Sequence, residues 1–402
     1  MKIDMKEKTK NQIDLSQRYM AAPDILRVAC VFIVAWYHIW QQSWLDPSIH
    51  IGKIYINLWD VISDGYMMVD VMLLLSGFLL ALPCARRQMA GLPQQSPENF
   101  YRRRFWRIGP SYLLANVTVF LFYSILEGKY GSWVSALKDL QTHLTFTHTF
   151  FYDTYIATPS LVVIWTLAVE VQFYALWPMC ALYYRKHPGW VCAVMTVIAF
   201  SYRAWVYPQP DTNMLVNQLP GMLDIYACGL GSAWVLARLE MAEKPGSAVR
   251  RWLAPLGMVV GFAVLVRVMY VQGGEDYEAL RKGQLLWRPV LGLAGGVFLV
   301  CGCLAPQKMS ELLGNRVTRF LSAVSFNFYM WHQFLACRLR DWHIVPSVSD
   351  TPNQVHEHPW QMKYTLLCFF TALVVSTAIT YLWERPLAQW ARKREKYVKK
   401  SS

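Results

Sequence analysis

Ten stretches of about twenty mostly apolar residues recur along this 402-residue chain, and no other feature constrains its folding as much. They run near 24–43, 65–84, 110–127, 161–184, 189–207, 221–238, 252–271, 287–304, 320–338 and 362–383. A helix of that length crosses the hydrocarbon of a bilayer, and ten of them predict an all-α, polytopic membrane protein. Composition agrees where it bears on the point. Hydrophobic residues make up 55% and charged ones only 16%, against about 25% charged in soluble domains.

The positive charges test the count. With the N-terminus placed in the cytoplasm, 27 of the 39 Lys and Arg fall in inner segments, nine in outer segments and three (Arg27, Arg203, Arg267) within spans. Cytoplasmic loops carry such an excess, and one span more or fewer would scramble it. Both termini are therefore expected in the cytoplasm. The opening MKIDMKEKTK has no apolar run behind it, so no cleavable signal peptide is expected. The chain divides into a cytoplasmic segment 1–20, a transmembrane domain 21–390 and a basic tail 391–402. The formal net charge of +13 is too dilute for a nucleic-acid surface. Nine Cys in or beside apolar runs read as small buried hydrophobes rather than a disulfide framework.

Charged and polar groups inside a bilayer are costly and mark the places where chemistry is done. In the first span Arg27 and His38 are about three helical turns apart and project from one face, His38 about 16 Å further along the axis. The second span holds Asp70 near its outer end, with Ser76 beyond it. There a structural partnership with a helix terminus competes with a functional role. The fourth span holds Glu170 near mid-membrane, where a carboxylate must be paired or protonated. The ninth, FLSAVSFNFYMWHQF, carries Ser325, Asn327, Tyr329 and His332, with His332 at a depth matching His38. Between spans two and three, NFYRRRFWRIGPSY sets Arg104 and Arg107 on one helical face at the cytosolic surface. Such guanidinium pairs suit phosphate oxygens, although a topology-fixing cluster is the plainer reading of their neighbours.

Several chemistries lack their motifs: no G-x-x-x-x-G-K, G-x-S-x-G or H-E-x-x-H occurs, and no Cys/His spacing suits zinc. No metal site is expected. His148 and Asp153 match the H-x-x-x-x-D spacing of glycerolipid acyltransferases, but in a loop expected outside, away from cytosolic donors.

Taken together these segments resemble the acyltransferase-3 family of bacterial integral-membrane acyltransferases. The likeness is carried by Arg27 with ten residues before His38, GYMMVDVMLLLSGFLL, Arg104-x-x-Arg107, WTLAVEVQFYALWP, SFNFYMWH and the terminal WERPL. It implies a ten-helix enzyme of the bacterial inner membrane that takes an acyl group, commonly acetyl, from cytosolic acyl-CoA, with no permanently bound cofactor. The acceptor it implies is a hydroxyl of a cell-envelope glycan or a lipid-linked sugar. By resemblance His38 is the essential His, Arg27 its motif partner, Arg104 and Arg107 the cytoplasmic pair, and Glu170 the acid of the fourth block. Thr166 stands where Ser is usual, and Val171 replaces a second acid. The expected catalytic set is His38, Glu170, Asp70 and His332. Arg27, Arg104 and Arg107 are expected to bind acyl-CoA, and Ser325 and Tyr329 the acceptor. The rival expectation is a proton-coupled transporter or exporter built on the same buried charges.

Overall fold

The computed structural model describes residues 19–158, 161–209, 212–242, 247, 249–272 and 277–401. Residues 1–18 of the expected cytoplasmic segment, with Lys2, Lys6, Lys8, Lys10 and Arg18, lie outside the described residues, as does Lys244. The chain forms two compact units. One comprises the described residues within Met1–Phe32, Asp64–Gln95 and Phe173–Ser322; the other comprises those within Ile33–Ser63, Ser96–Gln172 and Ala323–Ser402.

The long helices are α1 (Ala21–Ser43), α2 (Met68–Met89), α3 (Pro97–Val119), α4 (Trp133–Leu144), α5 (Trp165–Tyr184) and α6 (Pro188–Val206). They continue with α7 (Leu223–Ala242), α8 (Ala254–Gln272), α9 (Tyr277–Leu304), α10 (Arg316–Asp341), α11 (His358–Ile379) and α12 (Arg385–Ser401). Among the described residues nine helices are long and apolar enough to cross a membrane. The ninth expected span, α10, is a helix of 26 residues, about 39 Å long. Its length suffices, but Ser, Asn, Gln and His interrupt it and Arg crowds both ends, so its composition alone does not mark it as a span.

Local chemistry sets the boundaries that periodicity misses. Helix α3 begins at Pro97, well before the expected 110. The Ser96 side chain accepts from the Asn99 amide, and Pro97 occupies the first turn, where its missing N–H is no loss. The arginine cluster is therefore helical throughout. A small antiparallel hairpin pairs β1 (Ile49–Ile51) with β2 (Ile54–Ile56) in a register that sets Ile51 opposite Ile54. Gly52 supplies the positive φ (61°) of its two-residue turn.

In the first unit α2 and α7 approach so closely that a Cβ on Gly229 would lie 2.3 Å from the Leu74 carbonyl oxygen. Gly261 of α8 is confined too: a Cβ there would lie 2.8 Å from the Ala294 carbonyl oxygen of α9. Small residues at such crossings are how membrane helices gain van der Waals contact where water offers no hydrophobic drive. In the second unit Ile39, Ala336, Trp360, Tyr364 and Cys368 form a packed core that joins α1, α10 and α11. The Tyr364 hydroxyl donates to the Ala336 carbonyl at 2.7 Å, so its polar end is satisfied within that core.

Candidate active site

Two imidazoles meet inside the second unit. Nδ1 of His38, on α1, lies 2.9 Å from Nε2 of His332, on α10. The rings are inclined by 30° with centroids 5.1 Å apart. His332 is fully buried, and its Nδ1 lies 2.7 Å from the backbone oxygen of Tyr329, one turn back on its own helix. A carbonyl can only accept, so with both rings neutral the proton of His332 sits on Nδ1 and its Nε2 presents a lone pair. The donor in the inter-ring bond is then His38 Nδ1–H. The second nitrogen of His38, Nε2, is left with its lone pair. These tautomers are assigned from the hydrogen-bond network.

Helix α5 is tied to the same turn of α10. The Tyr329 hydroxyl donates to the Val163 carbonyl at 3.1 Å and accepts from Thr166 Oγ1 at 2.9 Å. Thr166, where the resemblance leads one to expect Ser, keeps the one group this contact needs, a hydroxyl. Glu170 follows Thr166 by one turn and shares its face; it is half-buried. Two residues on, Gln172 Nε2 donates to the Phe146 carbonyl at 2.8 Å and ties α5 to the segment after α4. Ser325 is buried on α10, on the stripe that also carries Tyr329 and His332.

The candidate cationic residues stand elsewhere. Arg104 and Arg107 occupy one face of α3; Arg104 is half-buried with its guanidinium 5.7 Å from the Phe100 ring centroid, and Arg107 is exposed. In the first unit Arg27 lies 3.9 Å from Asp24, one turn back on α1. Asp24 also accepts from Tyr19 at 2.7 Å and from Ser322 at 2.6 Å.

Asp70 is engaged within the first unit. Its carboxylate lies 3.1 Å from Nε of Arg288, on α9, and both side chains are buried. Arg288 spends its other nitrogens on the Val216 carbonyl and the Asn217 side chain. A second buried pair sits in that unit: Arg203 grips Asp224 through both terminal nitrogens, at 2.8 and 2.6 Å, and donates to the Gly221 carbonyl at 2.7 Å. Neither pairing is visible from spacing, since the partners of Asp70 and Arg203 are remote in sequence.

The H-x-x-x-x-D pattern is not assembled. Asp153 is an exposed partner of Lys138, at 2.7 Å. His148 instead stacks flat on His143, with centroids 4.1 Å apart, and Asp139 holds the His143 ring through Nδ1 at 3.2 Å. Burial, and then the neighbouring His143 ring, lower the His148 pKa to about 2. His148 is thus neutral in the fold but takes a proton once unfolded, near the ordinary value of about 6.5. Its contribution is complete above pH 6.5 and is lost as pH falls from there towards 2, by at most about 1.4 kcal/mol per unit. Hydrogen exchange over residues 132–158 should therefore show protection dropping between pH 7 and 5 in the wild type and less so in His148→Phe. Parallel loss in both would remove this ring as the source.

Glu384 was not singled out by sequence reasoning. Among apolar and basic neighbours it is the single acid of the terminal WERPL block, and that isolation was the available signal. Asn327 Nδ2 donates to its carboxylate at 2.7 Å and Ser111 Oγ at 3.4 Å. Among the described residues no cluster of three His, Cys, Asp or Glu could hold a metal ion.

A family model described as an acyltransferase domain matches residues 20–382. Over 362 residues the chain is 25% identical to a putative peptidoglycan O-acetyltransferase, YrhL, of Bacillus subtilis, covering 83% of this chain and 52% of that protein. It is 24% identical to the peptidoglycan O-acetyltransferase OatA of Listeria monocytogenes, covering 79% and 49%. With the exopolysaccharide production protein ExoZ of Rhizobium meliloti it shares 28% identity, covering 66% and 75%. The chain thus spans about half the length of the first two relatives. No solved structure matches it.

Proposed function

This chain belongs to the acyltransferase family, and from that premise we propose that it O-acylates envelope glycans from a cytosolic acyl-CoA, acetyl-CoA foremost. The acceptor is a hydroxyl of a glycan or lipid-linked sugar, reached from a multi-pass position in the bacterial inner membrane with both termini cytoplasmic. The relatives named as peptidoglycan O-acetyltransferases and the exopolysaccharide protein support the acceptor class. No resident cofactor is required, because the thioester itself supplies the activated acyl group.

One observation carries the mechanism: the Tyr329 carbonyl, acting through His332, leaves the Nε2 lone pair of His38 free. Nε2 takes the proton of the acceptor hydroxyl as that oxygen attacks the thioester carbonyl carbon. The carbon–sulfur bond breaks, and the same proton passes from Nε2 to the departing thiolate. General-base help of this kind is worth roughly 10²–10⁴ in rate. His332 orients the base. Glu170 lowers the cost of the imidazolium through its charge. The Tyr329 hydroxyl is occupied by Thr166 and Val163, so its part is to hold the His332 turn; Ser325, on the same stripe, contacts the acceptor. Asp70, committed to Arg288, has no step in this scheme. A proton relay in a transporter would need that carboxylate free.

Arg104 and Arg107 hold the donor phosphates. The double variant Arg104→Ala/Arg107→Ala should raise KM for acetyl-CoA at least tenfold with a smaller change in kcat. An unchanged KM would remove the phosphate clamp. Transfer by purified protein in detergent, with no gradient, separates this reading from a proton-coupled carrier.

A further inference from the structure

A three-way junction in the second unit ends on the carboxylate of Glu384. The bonds from Asn327 and Ser111 reach it from α10 and α3. Asn327 is fully buried and spends its other N–H on Thr380 Oγ1 at 2.8 Å, and its Oδ1 has no partner. Turned over, that amide would set oxygen against oxygen, so the carboxylate dictates its orientation. Trp383 Nε1 donates to the Pro110 carbonyl at 3.0 Å and seats the same segment on α3. Residues Thr380–Glu384 form a π-helical turn between α11 and α12. The extra residue in such a turn rotates the side chains that follow it, here Trp383 and Glu384, and π turns recur at functional sites.

The turn of α3 that receives these contacts follows Arg107 directly. Pro110 and Ser111 lie three and four residues beyond it, so all three side chains share a face. Arg107 stands one turn before Ser111 on that face and Arg385 follows Glu384 in the chain, so both cations flank the clasped carboxylate. Arg385 has its guanidinium over the Tyr381 ring, 4.1 Å from the centroid, and is thereby engaged. Arg107 is exposed and has its charge to offer. The same helix links this junction to the imidazoles: Asn327 precedes His332 by five residues, about 7.5 Å along α10.

We infer that Glu384 is a positioning residue: clasped by Asn327 and Ser111, it sets the Arg107 guanidinium where a donor phosphate is met. This rests on the reading of Arg107 as a phosphate contact. A flexible Arg side chain loses rotamer freedom when it binds, and a fixed carboxylate removes part of that cost in advance.

The experiment is equilibrium binding of CoA to the purified full chain in detergent, which needs no acceptor. Glu384→Gln should weaken CoA binding about tenfold, and Arg107→Ala by at least as much. The double variant Arg107→Ala/Glu384→Gln should bind no more weakly than Arg107→Ala alone, because the carboxylate acts through that guanidinium. Glu384→Asp, which keeps the charge, should recover most of the lost affinity, and it serves as the informative variant if Glu384→Gln is not monodisperse. A carboxylate that merely pinned helices together would lower thermal stability and leave CoA affinity unchanged, and that result overturns the inference. Additive losses in the double variant overturn it too. If Arg107→Ala leaves CoA binding intact, the phosphate reading fails first and takes this inference with it.

Discussion

His38→Ala should fold, insert and purify like the wild type, yet transfer no acyl group from labelled acetyl-CoA in membranes. The side chain is half-buried and bonds to the His332 ring, so its loss leaves a small gap rather than an unpaired charge. The catalytic cost is far larger, because the proposed general base is gone. His332→Phe sharpens the test. It keeps a ring in the cavity but removes the acceptor for His38 Nδ1–H, so the base loses its tautomer and its aim. A fall in kcat of about 10²–10⁴ is expected, with KM for acetyl-CoA nearly unchanged. Full activity in His38→Ala would end the general-base scheme. Full activity in His332→Phe would show that the base needs no orienting ring.

The second large effect is on stability and concerns the first unit. Arg203 and Asp224 are 1% and 2% exposed at their side chains and joined through two short bonds. Removing one partner leaves the other charged, buried and uncompensated, which costs about 3–5 kcal/mol. Asp224→Ala is expected to lose that much in denaturant or thermal unfolding of the solubilised protein. Arg203→Met/Asp224→Leu, which fills the space with apolar atoms, should recover most of it. If the single variant unfolds like the wild type, the pair is dispensable. If the double variant is as unstable as the single, the contribution comes from the wider network that includes the Gly221 carbonyl rather than from the charge match.

The fold was readable to the extent that apolar length dictates it. Nine of the ten expected stretches are helices that meet length and hydropathy together. The remaining one, α10, is equally a helix, but the residues that dilute its hydropathy, Ser325, Asn327, Tyr329 and His332, are those of the candidate site and of the Glu384 junction. The hairpin at Ile49–Ile56 escaped because eight residues of IHIGKIYI alternate only weakly, and Gly52 is the sole turn signal. At the site, equal depth suggested that His38 and His332 belong together. Their contact depends on which faces of α1 and α10 turn inward, and no spacing rule supplies that. Spacing was silent as well on the partner of Asp70, because Arg288 arrives from a helix more than two hundred residues away. For Glu384, sequence offers isolation among cations, whereas its clasp by Asn327 and Ser111 is a product of tertiary packing.

A hydrogen-bond wire that terminates on an amide oxygen is a dead end for protons. The Tyr329 carbonyl accepts from His332 and passes nothing on, so charge gathered at His38 must leave through the nitrogen that collected it. In the proposed scheme each turnover then hands the hydroxyl hydrogen back to the sulfur leaving group, and the reaction is electrically silent. An enzyme wired in this way draws nothing from the proton-motive force, and its turnover should be indifferent to uncouplers.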